Sequence, residues 1–308
     1  MQTSAIIQTK GLSKTYHSGK TATVALHNLD LSVQQGEIFG YLGPNGAGKT
    51  TTIRMLLDLI RPTDGSAKIF GWDVREKSVD IHRRIGFLPG ELNLWKGRTG
   101  TQVVHYLASV HGDAGKIKRH ADELSERLKL DLTKKIRDYS TGNKRKLGLV
   151  LAMMHQPDLL ILDEPTSGLD PLMQQTFHNM MHAYREQGKT VFLSSHVLSE
   201  VQTICDRVGI LRDGELKAVE TIEKLTHVDF RWVDIQFREM PANNLQHKLE
   251  SLEGVEQVKL NGNSARVQLF GDFDPLLRAI SDGYITDIHT EDPSLEEIFL
   301  TFYDGEKE

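Results

Sequence analysis

The sequence predicts an α/β fold: a P-loop-type core of mixed sheet with a helical subdomain, then a smaller α+β domain of ferredoxin-like order. Three observations predict it. A phosphate-loop pattern at residues 43–50 lies between an apolar run and a helical one. Apolar strands alternate with helices and Gly-rich turns up to about residue 225. Beyond that point the periodicities follow the order β-α-β-β-α-β. With 308 residues the chain is long enough for two domains and a sizeable core. The expected units are 1–225, with a helical subdomain at about 92–155, and 226–308.

Residues 37–42 read as a buried strand and 51–57 as a helix. Between them Gly43, Pro44, Asn45, Gly46, Ala47, Gly48, Lys49 and Thr50 fit G-x-x-x-x-G-K-[ST]. In that loop the backbone N–H groups wrap nucleotide phosphates and the lysine reaches the terminal ones. The helix N-terminus adds free N–H donors and partial positive charge, so Thr51 joins the candidate phosphate-binding set. The Thr50 hydroxyl is the expected Mg²⁺ ligand. A nucleotide loop also needs a carboxylate for its metal, and the apolar run 159–162 delivers Asp163 and Glu164 at a strand's C-terminal end, where α/β folds place ligands. Asp163 is the candidate metal holder, through water, and Glu164 the candidate general base that polarises the attacking water. Pro165 then breaks the strand.

In the remainder, 230–237 reads as a strand and 243–252 as a helix with Leu245, Leu249 and Leu252 on one face. Another strand follows at 255–260. Asn261-Gly262 signals a hairpin, and Ala265, Val267 and Leu269 supply the returning strand's inward face. A helix at 274–280 and a strand at 284–289 complete the order. A final helix is expected, capped by Asp292, with Pro293 in its first turn and Leu295, Ile298, Phe299 and Phe302 forming a packing stripe.

Composition narrows the function. The 37 Lys+Arg against 42 Asp+Glu give a net charge of -5, which supplies no basic field for nucleic acid. Cys205 is the only cysteine, so an internal disulfide and a cysteine-based zinc cluster are excluded and a reducing compartment is expected. The most apolar stretch, 147–162, is broken at His155, Gln156, Pro157 and Asp158 and falls short of a membrane span, and the first residues do not begin a signal peptide. Membrane contact is therefore expected only through a partner.

Between the two phosphate motifs, Tyr139-Ser140-Thr141-Gly142-Asn143-Lys144-Arg145-Lys146 resembles the LSGGQ signature of ATP-binding cassette (ABC) ATPases. The run from Asp163 to Pro171 resembles that family's Walker B strand and D-loop, Leu193-Ser194-Ser195-His196 its switch-histidine segment, and Tyr16 the aromatic that stacks on adenine. The likeness covers essentially all of residues 4–220. It implies ATP and Mg²⁺ as cofactors and head-to-tail pairing with a second ATPase subunit, in a homodimer or a heterodimer. Each ATP would be held between the Walker A loop of one subunit and Ser140 and Gly142 of the other, with Asp170 also acting across the dimer. His196 would contact the γ-phosphate and help hold Glu164 and the water.

Two departures stand out. Gly90 occupies the place of the family's metal- and water-binding glutamine; Glu91, next door, is either its substitute at the metal or a contact for a membrane partner. In the signature, Thr141 replaces the first glycine and Asn143 the glutamine, so a slower or asymmetric half-site is expected. The 88–92 loop, the signature and the terminal run 292–300 resemble the ATPase subunits of bacterial multidrug and antibiotic exporters of the daunorubicin-resistance type. That implies a peripheral ATPase at the cytoplasmic face of the membrane, driving a separate integral membrane permease, with residues 226–308 as an accessory or regulatory piece. The rival readings are a soluble ABC protein acting on ribosomes, a chromosome-maintenance ATPase, which would need long heptad coiled coils, and a low-turnover nucleotide sensor.

Overall fold

The computed structural model describes residues 5–19, 21–226, 230–239 and 244–291. The chain divides into two compact units, Met1–Ile222 and Glu223–Glu308. The expected final helix, with Leu295, Ile298, Phe299 and Phe302, lies outside the described residues.

The first unit opens with two long antiparallel strands, β1 (Ala5–Ser18) and β2 (Thr21–Gln34), and then β3 (Ile38–Leu42). The phosphate-loop segment leads into α1 (Lys49–Leu56), β4 (Asp64–Ile69), β5 (Trp72–Asp73), α2 (Ser78–His82) and β6 (Ile85–Leu88). Three helices follow: α3 (Gly100–Val110), α4 (Ala114–Arg127) and α5 (Thr141–Met153). Next come β7 (Leu159–Asp163), α6 (Pro171–Glu186), β8 (Thr190–Ser195), α7 (Leu198–Ile204), β9 (Arg207–Arg212) and β10 (Glu215–Thr221); the short α8 (Ile222–Thr226) spans the boundary into the second unit.

These strands form two sheets. One is antiparallel, in the order β2-β1-β4-β5; the other runs β10-β9-β3-β8-β7-β6, parallel except for β10 at its edge. Every residue of β3, β7 and β8 is buried, which is why β3 and β7 up to Asp163 read as apolar runs rather than alternations; β8 adds buried hydroxyls at Thr190, Ser194 and Ser195. Both sheets share one core. Ile7 and Leu12 of β1 cluster with Phe39, Ile161 and Phe192 of the parallel sheet, and the Phe39 and Phe192 rings stack at 5.9 Å. The helices carry their own start signals: Thr99 and Gln102 close a capping box on α3, Asp113 caps α4, Ser140 caps α5, and Asp170 caps α6 with Pro171 in its first turn. Because β3, β8, β7 and β6 are parallel neighbours, their C-terminal ends emerge on one edge. That edge gathers the phosphate loop, His196, Asp163-Glu164 and Pro89-Gly90.

The second unit comprises β11 (Phe230–Phe237), α9 (Leu245–Glu250), β12 (Val255–Asn261), β13 (Ser264–Phe270), α10 (Asp274–Ile280) and β14 (Ile285–Glu291). The chain order is the β-α-β-β-α-β read from the sequence. The sheet is antiparallel throughout, ordered β12-β13-β11-β14. Val233, Ile235, Ala265, Val267 and Leu269 face Leu245 and Leu249 of α9 and Leu276 and Ile280 of α10 in a single core. The hairpin turns one residue later than Asn261-Gly262 suggests. Asn261 still pairs with Ser264, so the two-residue loop is Gly262-Asn263, with positive φ at Gly262.

Candidate nucleotide site

The site is built first by backbone. A Cβ on Gly48 would meet the Ala25 carbonyl at 2.5 Å, so the loop can pass this close to β2 only with glycine there. Lys49, the first residue of α1, is buried. Its ammonium donates to the carbonyls of Gly43 at 2.5 Å and Pro44 at 3.1 Å and lies 3.6 Å from Glu164 Oε1. Burial pulls the Lys49 pKa down, while the Glu164 and Asp163 carboxylates oppose the shift.

The metal-directed groups converge. Thr50 Oγ1 donates to Asp163 Oδ2 at 2.9 Å, and Ser194 Oγ donates to Asp163 Oδ1. A hydroxyl and a carboxylate side by side are the hard oxygen donors that Mg²⁺ prefers. One residue on, Glu164 adopts φ 53, a left-handed conformation directly before a proline, at a cost of about 1–3 kcal/mol that surrounding contacts must offset. This kink turns the carboxylate between two side chains: His196 Nδ1 lies 2.6 Å from Glu164 Oε2, and the Lys49 ammonium faces Oε1 at 3.6 Å. Asn45, Gly46, Lys49, Thr50, Asp163, Glu164 and His196 line one cavity of 350 Å³.

Other predicted residues lie elsewhere on the unit. Tyr16 is half-exposed on β1, with Lys14 Nζ 5.2 Å from its ring centre. Gly90 rather than Glu91 lines the cavity, and a Cβ on Gly90 would sit 3.1 Å from Asp163 Oδ2; Glu91 is exposed beside it. Ser140 Oγ accepts from the Asn143 N–H at 3.2 Å, which leaves its own O–H free to donate. Gly142 occupies the first turn of α5, where backbone N–H groups have no intrahelical acceptor. Thr141 is the first helical residue. Asp170 Oδ1 accepts from the Met173 N–H at 3.0 Å. None of Ser140, Gly142 and Asp170 lines the cavity in its own subunit.

Sequence reasoning passed over three side chains. Ser194, within the buried β8, orients Asp163 and lies 3.3 Å from the Glu164 N–H. Glu200 of α7 is buried, accepts from Ser195 Oγ at 2.7 Å, and has its pKa raised by that burial. Arg145 of α5 is 3% exposed and donates to five carbonyls: Pro89 at 2.7 Å, Gly90 at 3.1 Å, Asp163 at 2.9 Å, Pro165 at 3.2 Å, and Glu164. A charged residue inside a mostly buried helix was the available signal. Past Gly90, exposed Trp95 and Tyr106 meet edge to face at 5.2 Å and line a 720 Å³ groove with Lys96 and Arg98.

Comparison with known proteins places this geometry. Residues 26–167 match the family described as ABC transporter. A bacitracin transport ATP-binding protein of Bacillus licheniformis is 38% identical, over 76% of this chain and 75% of that protein. An uncharacterised ABC transporter ATP-binding protein of Nostoc is 32% identical over 96% of this chain and 93% of its own length. Among solved structures, a dimeric ATP-binding cassette in a post-hydrolysis state with ADP and Pi superposes with a TM-score of 0.65 at 25% identity, over 70% of this chain and 98% of that one.

Proposed function

This chain belongs to the ABC transporter ATP-binding family and is an ATPase that binds ATP, and from that premise we propose that it powers an exporter through a separate integral membrane permease. The observation that carries the reading is the convergence of Lys49, Thr50, Asp163, Glu164 and His196 on one cavity at the strand ends. Lys49, the amides of residues 43–48 and Thr51 bind the phosphates. Thr50 and Asp163 would hold Mg²⁺, whose charge would neutralise the terminal phosphate oxygens. Glu164 accepts the proton of the water that attacks the γ-phosphorus; His196, its hydrogen-bond partner, orients the carboxylate and reaches the γ-phosphate. Lys49 exchanges its contact with Glu164 for phosphate when nucleotide enters, which frees the carboxylate for the water.

Ser140, Gly142 and Asp170 act on a second subunit's ATP, head to tail. Their availability supports this: the Ser140 O–H is free to donate, Gly142 N–H sits at a helix N-terminus, and neither faces its own phosphate loop. Tyr16 is the adenine platform. The groove at Trp95 and Tyr106, beside the Gly90-Glu91 loop, takes a cytoplasmic segment of the permease. The subunit is then peripheral, at the cytoplasmic membrane face; among the described residues no helix is long and apolar enough to cross a membrane. Glu91 stays outside the metal set in this reading, since it is exposed and Gly90, not Glu91, lines the cavity.

Glu164→Gln tests both halves. ATP binding is retained while turnover falls about a hundredfold or more, the scale of a lost general base, and the protein elutes as an ATP-locked dimer. The same variant, tagged and recovered with ATP from host membranes in mild detergent, carries a polytopic membrane protein. Undiminished turnover removes Glu164 from the base role, and recovery of ribosomal or other soluble partners alone overturns the exporter reading.

A further inference from the structure

A buried arginine connects parts of this site that no other described side chain connects. Arg145 arises from the second turn of α5, which Ser140 caps and whose first turn carries Gly142, yet its guanidinium ends beneath the tip of β7. There Nη2 donates to the carbonyls of Asp163, at 2.9 Å, and Glu164, and Nε to Pro165 at 3.2 Å. The remaining nitrogen, Nη1, donates to Pro89 at 2.7 Å and Gly90 at 3.1 Å. Burial works against its charge, which the carboxylates of Asp163, Glu164 and Glu200 support. The planar fork satisfies two separate loops at once, which a lysine's single ammonium cannot do.

We propose that Arg145 is a positioning residue for ATP hydrolysis: it locks the signature helix to the strained Glu164 turn and to the Pro89-Gly90 loop, so that Glu164 is aimed at its water only while α5 is seated. The proposal rests on Glu164 being the base. Two features support it. Glu164 holds a left-handed backbone before a proline, and three consecutive carbonyls around that kink accept from Arg145. In addition, Gly90 offers no side chain, so the 89–90 loop is tied to the strand end by its carbonyls through Arg145. The helix that reaches across to a second subunit's ATP is thereby linked mechanically to the base of its own subunit.

The test uses the purified full chain, with kcat expressed per nucleotide-binding site titrated with a fluorescent ATP analogue. Arg145→Gln is expected to lower kcat about tenfold or more while KM for ATP stays within about threefold, because a misplaced base costs rate and the phosphate loop is untouched. Arg145→Lys, which keeps the charge but loses the fork, is expected to recover only part of that loss. A kcat within twofold of wild type for Arg145→Gln overturns the proposal. So does a loss of binding sites with unchanged kcat per remaining site, the signature of a residue that merely stabilises the fold. If Arg145→Gln yields no binding-competent protein, Arg145→Lys decides: a severalfold fall in kcat at unchanged KM supports the link, and wild-type kcat overturns it. Glu164→Gln in the same assay separates the failures. Full turnover there defeats the base assignment, whereas lost turnover there with normal Arg145→Gln defeats only the link.

Discussion

The two units of this chain use their sheets in opposite ways. In the first, β3, β7 and β8 are buried along their whole length, and chemistry is exported to the loops beyond their C-terminal ends. In the second, β13 has one face against α9 and α10 and the other carrying Arg266 and Gln268. Its charged groups pair with neighbours, as Arg266 does with Asp234 at 3.4 Å, and do not converge on a cavity among those described. A parallel sheet delivers the C-terminal loops of neighbouring strands to one edge, while in an antiparallel sheet hydrogen-bonded neighbours end at opposite edges. Convergence of five functional side chains is therefore a product of topology as much as of motif.

The largest test of that contrast compares two carboxylates. Asp163 accepts from Thr50 and Ser194, so Asp163→Asn leaves one of those hydroxyls facing an NH₂ and weakens the hold on Mg²⁺. Turnover is expected to fall on the order of 10²–10³-fold, the scale of a lost electrostatic group in an active site. Asp234→Asn, at a surface ion pair in the second unit, is expected to leave turnover within twofold. Steady-state ATPase rates at saturating Mg-ATP decide the matter; equal losses would show that the second unit takes part in the chemistry.

Next in size is a core cavity confined to one unit. Leu249 is fully buried between α9 and its sheet, and Leu249→Ala is expected to cost that unit about 2–5 kcal/mol. Calorimetry should show one transition moving down while ATP affinity stays within twofold. Parallel loss of nucleotide binding would mean that the two units unfold together.

A smaller effect belongs to the first unit alone. Burial brings the His155 pKa down from 6.5 to about 4, outweighing the bond from its Nε2 to the Ile85 carbonyl, and the neighbouring His111 and His120 add to the decrease. The unfolded chain therefore takes up a proton between those values that the folded chain refuses. Stability is complete above pH 6.5 and falls as the pH drops toward 4, by about 1–3 kcal/mol at the lower end. His155→Gln should flatten that part of the pH profile of thermal unfolding. An unchanged slope would assign the acid sensitivity to other groups.

What the sequence disclosed follows the same division. The phosphate loop, the Asp163-Glu164 strand end and His196 were legible because each is a short motif fixed by local geometry, and β11 and α10 because their apolar periods are clean. Arg145 lies within the signature run, where the motif itself assigns it no task. Its role depends on five carbonyls from two distant loops, a relation that no local pattern encodes. Adjacency to Gly90 offered Glu91 two roles, at the metal or toward a membrane partner, and the motif alone does not choose between them. In the structure Gly90 lines the cavity beside Asp163 and Glu91 is exposed.

The smallest effect separates backbone cost from chemistry most cleanly. Gly262, at the β12-β13 turn, and Gly46, in the phosphate loop, have φ of 60 and 84, and in both cases a Cβ would meet nothing within 4 Å. Alanine at either site meets no clash, only the left-handed penalty of about 1–2 kcal/mol, partly offset by the stiffer unfolded chain, for a net cost of about 1 kcal/mol. The two substitutions should therefore lower the stability of their respective units by similar amounts. Only Gly46→Ala should weaken ATP binding, because its methyl enters the space that the phosphates occupy and its strain tilts the amides that hold them. Equilibrium unfolding paired with nucleotide titration resolves this. If both variants bind ATP as wild type does, the glycine at 46 serves the turn alone and the loop tolerates more bulk than its motif implies.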